Sequence, residues 1–218
     1  MSASDPDPAV WNAARWQALC VRLGLPAQDP ACGRFEALAQ AYAQPWRAYH
    51  TARHIAECLT LLDRVAAALH DAPLVELALW LHDVVYDPRR QDNEARSAGL
   101  AAQWLGGLAP QRLARLQAWI EATREHAPAP DDADLQALLD IDLAILAAPP
   151  ARFADYAQQV RHEYAWVPDA VFAAGRQAFL GALAARPRLY GHPALAPGLE
   201  APARANLTQA LQALAASP

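Results

Sequence analysis

The chain has 218 residues, 54% of them hydrophobic and 19% charged, and its net charge is −5. So large an apolar fraction excludes a disordered chain, and the acidic balance argues against a protein that grips duplex nucleic acid through a basic surface. All 18 basic residues are arginine, a bias that fits a GC-rich genome.

Residues 1–10 are rich in Asp, Pro and Ser and are expected to form a loose tail, leaving 11–218 as one domain. Beyond them the apolar spacing is helical almost everywhere. It predicts helices over about 11–24, 30–43, 50–70, 73–86, 93–106, 110–125, 132–147, 150–166, 168–186 and 201–215. Pro30, Pro73, Pro110 and Pro150 fall where a first turn tolerates a missing N–H, and Gly24 and the pair Gly106–Gly107 mark helix ends. Strand-like alternation is nearly absent, and Ala and Leu far outnumber the β-formers. The expected fold class is therefore all-α, a single domain of many helices. Cys20, Cys32 and Cys58 are widely spaced and form no C-x-x-C pair, as expected of reduced thiols. No stretch reads as a signal peptide, and the apolar runs stop short of the ~20 residues a membrane span needs. A soluble cytoplasmic protein, monomer or homodimer, is expected.

Three helical segments place polar groups where apolar ones belong. Pro73–Tyr86 is apolar nearly all round, yet carries His82 and Asp83 side by side. An uncompensated buried carboxylate costs several kcal/mol or neutralises. A metal ion would compensate both residues at once. The stripe His54, Cys58, Leu61, Val65, Leu69 puts His54 on a buried face, with His50 one turn earlier on the same side. In the third segment, Asp142 falls three or four residues from Leu138, Leu139, Ile145 and Leu146. Asp140 lies nearer Gln136 and Ala144, so Asp142 ranks first as the buried carboxylate, with Asp140 as the fallback. Two imidazoles and two carboxylates suit a divalent ion with coordination positions left open.

The order His, then His-Asp, then a distant Asp resembles the HD-domain superfamily of metal-dependent phosphohydrolases, and in particular a bacterial group of HD-type phosphohydrolases. The stretches that carry it are Tyr49-His50-Thr51-Ala52-Arg53-His54-Ile55, Leu81-His82-Asp83-Val84-Val85-Tyr86-Asp87, Asn93-Glu94-Ala95-Arg96-Ser97-Ala98 and Leu139-Asp140-Ile141-Asp142-Leu143. Arg161-His162-Glu163-Tyr164 and Gly175-Arg176 add to it, so the resemblance spans about residues 40–210. It implies an all-helical fold holding one metal between three or four helices, with His54, His82, Asp83 and Asp142 as ligands. The chain lacks the Gly-Tyr-Pro tripeptide of the cyclic-dinucleotide hydrolases of that superfamily. It also lacks the His-Asp-x-x-Glu-Asp run of the alarmone hydrolases.

The activity this implies is hydrolysis of a phosphate ester or anhydride in a nucleotide or another small phosphorylated molecule, with metal-activated water as nucleophile. A divalent metal (Mn, Fe, Co, Ni or Mg) lowers the pKa of water and neutralises phosphoryl oxygens in the transition state. Glu94 and Asp87 are the candidate general bases, and His50 a candidate fifth ligand or phosphate contact. Arg47, then Arg161 and Arg176, are the candidate forks for substrate phosphate, with Arg204 and Asn206 behind them. His126 ends a helix, and joins the candidates for substrate contact. Some superfamily members carry an extra His there for a second metal. Two other readings stand beside the hydrolase. One is an HD-type di-iron oxygenase that would enlist His50, His126 or Asp140. The other is a non-catalytic, metal-stabilised module that binds a nucleotide or a protein.

Overall fold

The computed structural model describes residues 6–26, 28–127 and 129–216. Among them are ten α-helices and no strand: α1 (Ala13–Arg22), α2 (Phe35–Tyr42), α3 (Ala52–Val65), α4 (Ala72–Leu81), α5 (Asn93–Trp104), α6 (Pro110–Ala122), α7 (Ala133–Asp142), α8 (Pro150–Glu163), α9 (Asp169–Ala184) and α10 (Ala196–Ala216). None is long and apolar enough to cross a membrane. The three cysteines are free and buried.

Sequence explains most of the helix ends. Asn12, Asp71 and Asp132 each accept a hydrogen bond from a backbone N–H three residues on, which starts α1, α4 and α7. Gly24 ends α1 at φ 80°, and the N–H groups of Gly24 and Leu25 close onto the carbonyls of Val21 and Cys20. Pro110 and Pro150 open α6 and α8.

Several expected boundaries shift. The stretch 30–43 divides into a 3-10 turn, Pro30–Gly33, and α2, while 132–147 divides into α7 and a 3-10 turn, Leu143–Ala147. The last helix begins at Ala196 rather than 201 and carries Pro202 inside it. Helix α4 stops at Leu81, so His82 closes it and Asp83 lies just beyond. Residues 6–10 are not a loose tail: the Asp7 carbonyl accepts from Val10 and Trp11 N–H, and Val10 packs on the core. The rest of the expected tail, residues 1–5, lies outside the described residues.

The side chains bury into two apolar clusters. The larger is built on α1–α7, with α4 at its centre, where every residue from Leu74 to Leu81 is buried. A helix apolar on all sides needs neighbours on all sides, and α4 contacts α1, α3, α5, α6 and α7. The smaller cluster joins the turn at 143–147 to α8, α9 and α10 and takes in Tyr49. Leu199 packs against both. The inward-facing histidines and aspartates stand where the two clusters meet.

Candidate metal centre

Helix α3 buries His54 on the stripe that also holds Cys58, Leu62 and Val65. Its Nδ1 lies 3.1 Å from the Tyr49 hydroxyl, which fixes the ring and leaves Nε2 facing inward. His82, 2% exposed, places Nδ1 3.0 Å from the Leu79 carbonyl, so Nδ1 donates there and Nε2 presents a lone pair. The two Nε2 atoms are 3.3 Å apart. Nitrogen ligands about 2.1 Å from one ion stand about 3.0–3.4 Å from each other, so the pair fits a shared ion.

Asp142, the last residue of α7, brings Oδ1 to 3.1 Å from His54 Nε2 and 3.4 Å from His82 Nε2. One ligand atom from each of these three residues lies within 4.8 Å of the others, a grouping that can hold a metal ion. Asp83 stands alongside, with Oδ2 3.0 Å from His82 Nε2 and 3.8 Å from His54 Nε2. Because α4 has ended, the chain turns at His82 and consecutive side chains reach one point. Arg47 holds that turn by donating to the carbonyls of Asp83 and Val84.

The electrostatics call for positive charge. Both α4 and α7 end here, and helix C-termini carry partial negative charge. Burial opposes charge on His82, yet Asp83 and Asp142 outweigh it and raise its pKa well above the ordinary imidazole value. Burial likewise works against the charged forms of Asp83 and Asp142. The facing imidazoles, His82 foremost, overcome it and hold both carboxyls well below the usual range. A proton on His82 answers part of this field, and a bound cation would answer it as well.

Asp140 corrects one expectation. It is 1% exposed, whereas the Asp142 side chain is 12% exposed, so Asp140 is the more deeply buried carboxylate. It faces away from the cluster and accepts from Gly191 N–H, His192 N–H (2.7 Å) and Gln136 Nε2 (2.8 Å). A Cβ at residue 191 would come within 2.9 Å of three Gln136 atoms, so only glycine lets the backbone approach that closely. The covering segment is remote in sequence, which is why local spacing misjudged the burial.

The other nominated residues divide. His50 and Glu94 line the same cavity, about 340 Å³, as His82, Asp83 and Asp142. His126 lines it too, with Nε2 2.8 Å from Asp142 Oδ2. Its φ is 46°, a left-handed conformation costly for a side chain of this size, and Arg186 holds it by donating to the His126 and Glu125 carbonyls. Asp87 is absent from the cavity wall and accepts from Arg89 N–H in a turn. Arg47 is 7% exposed, and its donors go to Gln44 and to backbone carbonyls. Arg161 is committed to Asp169 and to the Tyr164 and Val167 carbonyls. Arg204 and Asn206 serve backbone carbonyls at 184, 186, 146 and 148. Arg176 lies instead beside the rings of Tyr156 and Phe179.

Sequence reasoning gave no role to four residues. Glu163 accepts from the N–H groups of Ala48, Tyr49 and His50 through Oε1, and from His50 Nδ1 and the Tyr86 hydroxyl through Oε2. Burial pushes its pKa up, but His50 and these donors bring it down to about 2. The signal was present: Phe153, Tyr156, Val160 and Glu163 follow the buried stripe of α8. Tyr49, which orients His54, was quoted without a role. Arg90 and Arg124 line the cavity and carry no signal of their own.

Comparison of the chain with protein-family models, curated proteins and solved structures finds no match. The geometry alone therefore carries the functional argument.

Proposed function

We propose that the chain is a metal-dependent phosphohydrolase of HD type, acting on a nucleotide or another small phosphorylated molecule with one divalent ion (Mn, Fe, Co, Ni or Mg). The observation that carries the reading is the convergence of His54, His82 and Asp142 beside a cavity of about 340 Å³, with Asp83 and His126 against them. His54, His82, Asp83 and Asp142 would hold the ion. The ion would supply Lewis acidity and an activated water.

The chain's own residues account for the rest. Glu94 is the nominated base that lines the cavity, and it would take a proton from the attacking water. Arg90, Arg124 and His126 line the same space; Arg90 is paired with Asp92 and His126 with Asp142, so Arg124, whose salt bridge to Glu125 is 3.5 Å long, is the cation that would first meet phosphoryl oxygens. The water oxygen bonds to phosphorus, the bond from phosphorus to the leaving oxygen breaks, and that oxygen takes up a proton. His50 contributes through position: it is tied to Glu163 and stacked on Tyr86 at 4.1 Å. Of the extra donors a di-iron oxygenase would enlist, Asp140 is committed elsewhere, while His126 and His50 line the cavity, His50 through a ring whose Nδ1 is bound to Glu163.

The test is elemental analysis of the purified protein, then a screen of nucleotides and general phosphatase substrates with added manganese, cobalt or nickel. We expect bound divalent metal and turnover that disappears in His82→Ala and Asp83→Ala. Turnover that survives both variants, or stoichiometric metal with no hydrolysis of any phosphate, overturns the reading.

A further inference from the structure

A second hollow, about 480 Å³, adjoins the cavity of the metal centre. Tyr49, His50, Tyr156, Tyr164 and Phe179 line both, so the two spaces lie side by side. Beyond those shared walls the hollow is formed by Val160, Val167, Val171 and Phe172, and by one permanent charge, Arg176.

Arg176 differs from the other nominated arginines. Its Nη2 is buried and has no hydrogen-bond partner, while the guanidinium lies 4.8 Å from the Tyr156 ring and 5.4 Å from Phe179. Arg176 lines the hollow, but Nη2 itself is closed to solvent, so a ligand oxygen would reach it only after the side chain shifts. Phe179 and Val171 remain 43% and 61% exposed, so an apolar ligand here would also cover surface now in water.

We propose that this hollow receives the organic part of the substrate, and that this part is a flat, largely apolar ring bearing a carboxylate or carbonyl oxygen for Arg176. The inference rests on the phosphohydrolase reading and narrows it: the phosphoryl group goes to the His–Asp cluster while the ring lies among Tyr156, Tyr164 and Phe172. A sugar phosphate fits less well, because hydroxyls set against Val160, Val167, Val171 and Phe172 would lose water without a hydrogen bond in return.

The test is calorimetric binding of three non-hydrolysable probes to the manganese-loaded protein: methylphosphonate, phenylphosphonate and 4-carboxyphenylphosphonate. We expect phenylphosphonate to bind at least tenfold tighter than methylphosphonate, and the carboxylate to add about tenfold more. Phe172→Ala should shrink the first step, and Arg176→Gln should abolish the second alone, with methylphosphonate affinity unchanged in both. Equal affinity for all three probes, or preferences that survive both variants, overturns the inference. So does light scattering that shows a dimer closed to every aryl probe, since a second copy then covers the hollow. Hydrolysis of 4-carboxyphenyl phosphate is read separately. Probe preference with no hydrolysis of this or any other phosphate upholds the pocket and defeats the phosphohydrolase reading; hydrolysis without preference does the reverse.

Discussion

Asp140 and Asp142 lie two residues apart at the end of α7, and the protein treats them in opposite ways. Around Asp140 the molecule supplies its own compensation, with two backbone N–H groups and an amide from Gln136. Around Asp142 it supplies three imidazoles, each held by further groups, and no backbone donor is seen there. Amides are permanent donors, so Asp140 is complete when the chain folds. Imidazoles can carry a proton or bind a metal, so the Asp142 side is a grouping that can hold an ion. Depth of burial does not single out a carboxylate that can hold a metal; the chemistry of its partners does.

The largest expected effect separates the two directly. In Asp142→Asn, metal content by elemental analysis should fall to a small fraction of an equivalent. Turnover should drop about a thousandfold, roughly 4 kcal/mol of transition-state stabilisation, while the fold is retained. Asp140→Asn should do the reverse. It turns an amide group toward donors and costs about 3 kcal/mol, lowering Tm by about 10 °C, while the folded protein still takes up its metal. If the Asp140 variant loses metal and the Asp142 variant melts early, the comparison is reversed.

Glu163→Gln sharpens it at comparable size but with a pH signature. The Glu163 carboxyl titrates near 2 instead of its ordinary 4.5, so its contribution is present above about 4.5 and disappears as pH falls toward 2. Burial resists charge on His50, but Glu163 raises its pKa above 6.5, so that contribution is present below 6.5 and is lost as pH climbs past the raised value. Denaturant unfolding should therefore show the variant weaker by about 3 kcal/mol at pH 5.5, with the gap closing toward both extremes. A gap independent of pH would mean that the ion pair contributes nothing. The smallest effect belongs to Tyr49→Phe, which frees the His54 ring. Metal affinity in a competition titration should weaken about tenfold while the fold is retained; unchanged affinity would leave Tyr49 as packing only.

Helices were legible because Ala and Leu recur at helical spacing with little competing pattern. His54 and His82 were legible because each interrupts an apolar face, and the ranking of Asp142 pointed to the right helix end. The reason given for that ranking failed, because the segment covering Asp140 lies 51 and 52 residues away at Gly191 and His192. The same blindness affected Arg47 and Arg161: a guanidinium in sequence has five free donors, and only tertiary structure reveals which carbonyls have claimed them. Glu163 reaches residues more than a hundred positions earlier, so its stripe on α8 disclosed its burial but not its partners. Helix ends moved for a related reason, as where Arg47 takes the carbonyls beyond α4.

The groups that would hold the ion run from residue 54 to 142, whereas Glu163, Arg186 and the Gly191–His192 pair, which brace residues 48–50, 126 and 140, all come later. A chain emerging from the ribosome thus carries all of these groups before any of the braces exists. If they hold an ion, they would hold it in their final geometry only once the last third of the chain docks.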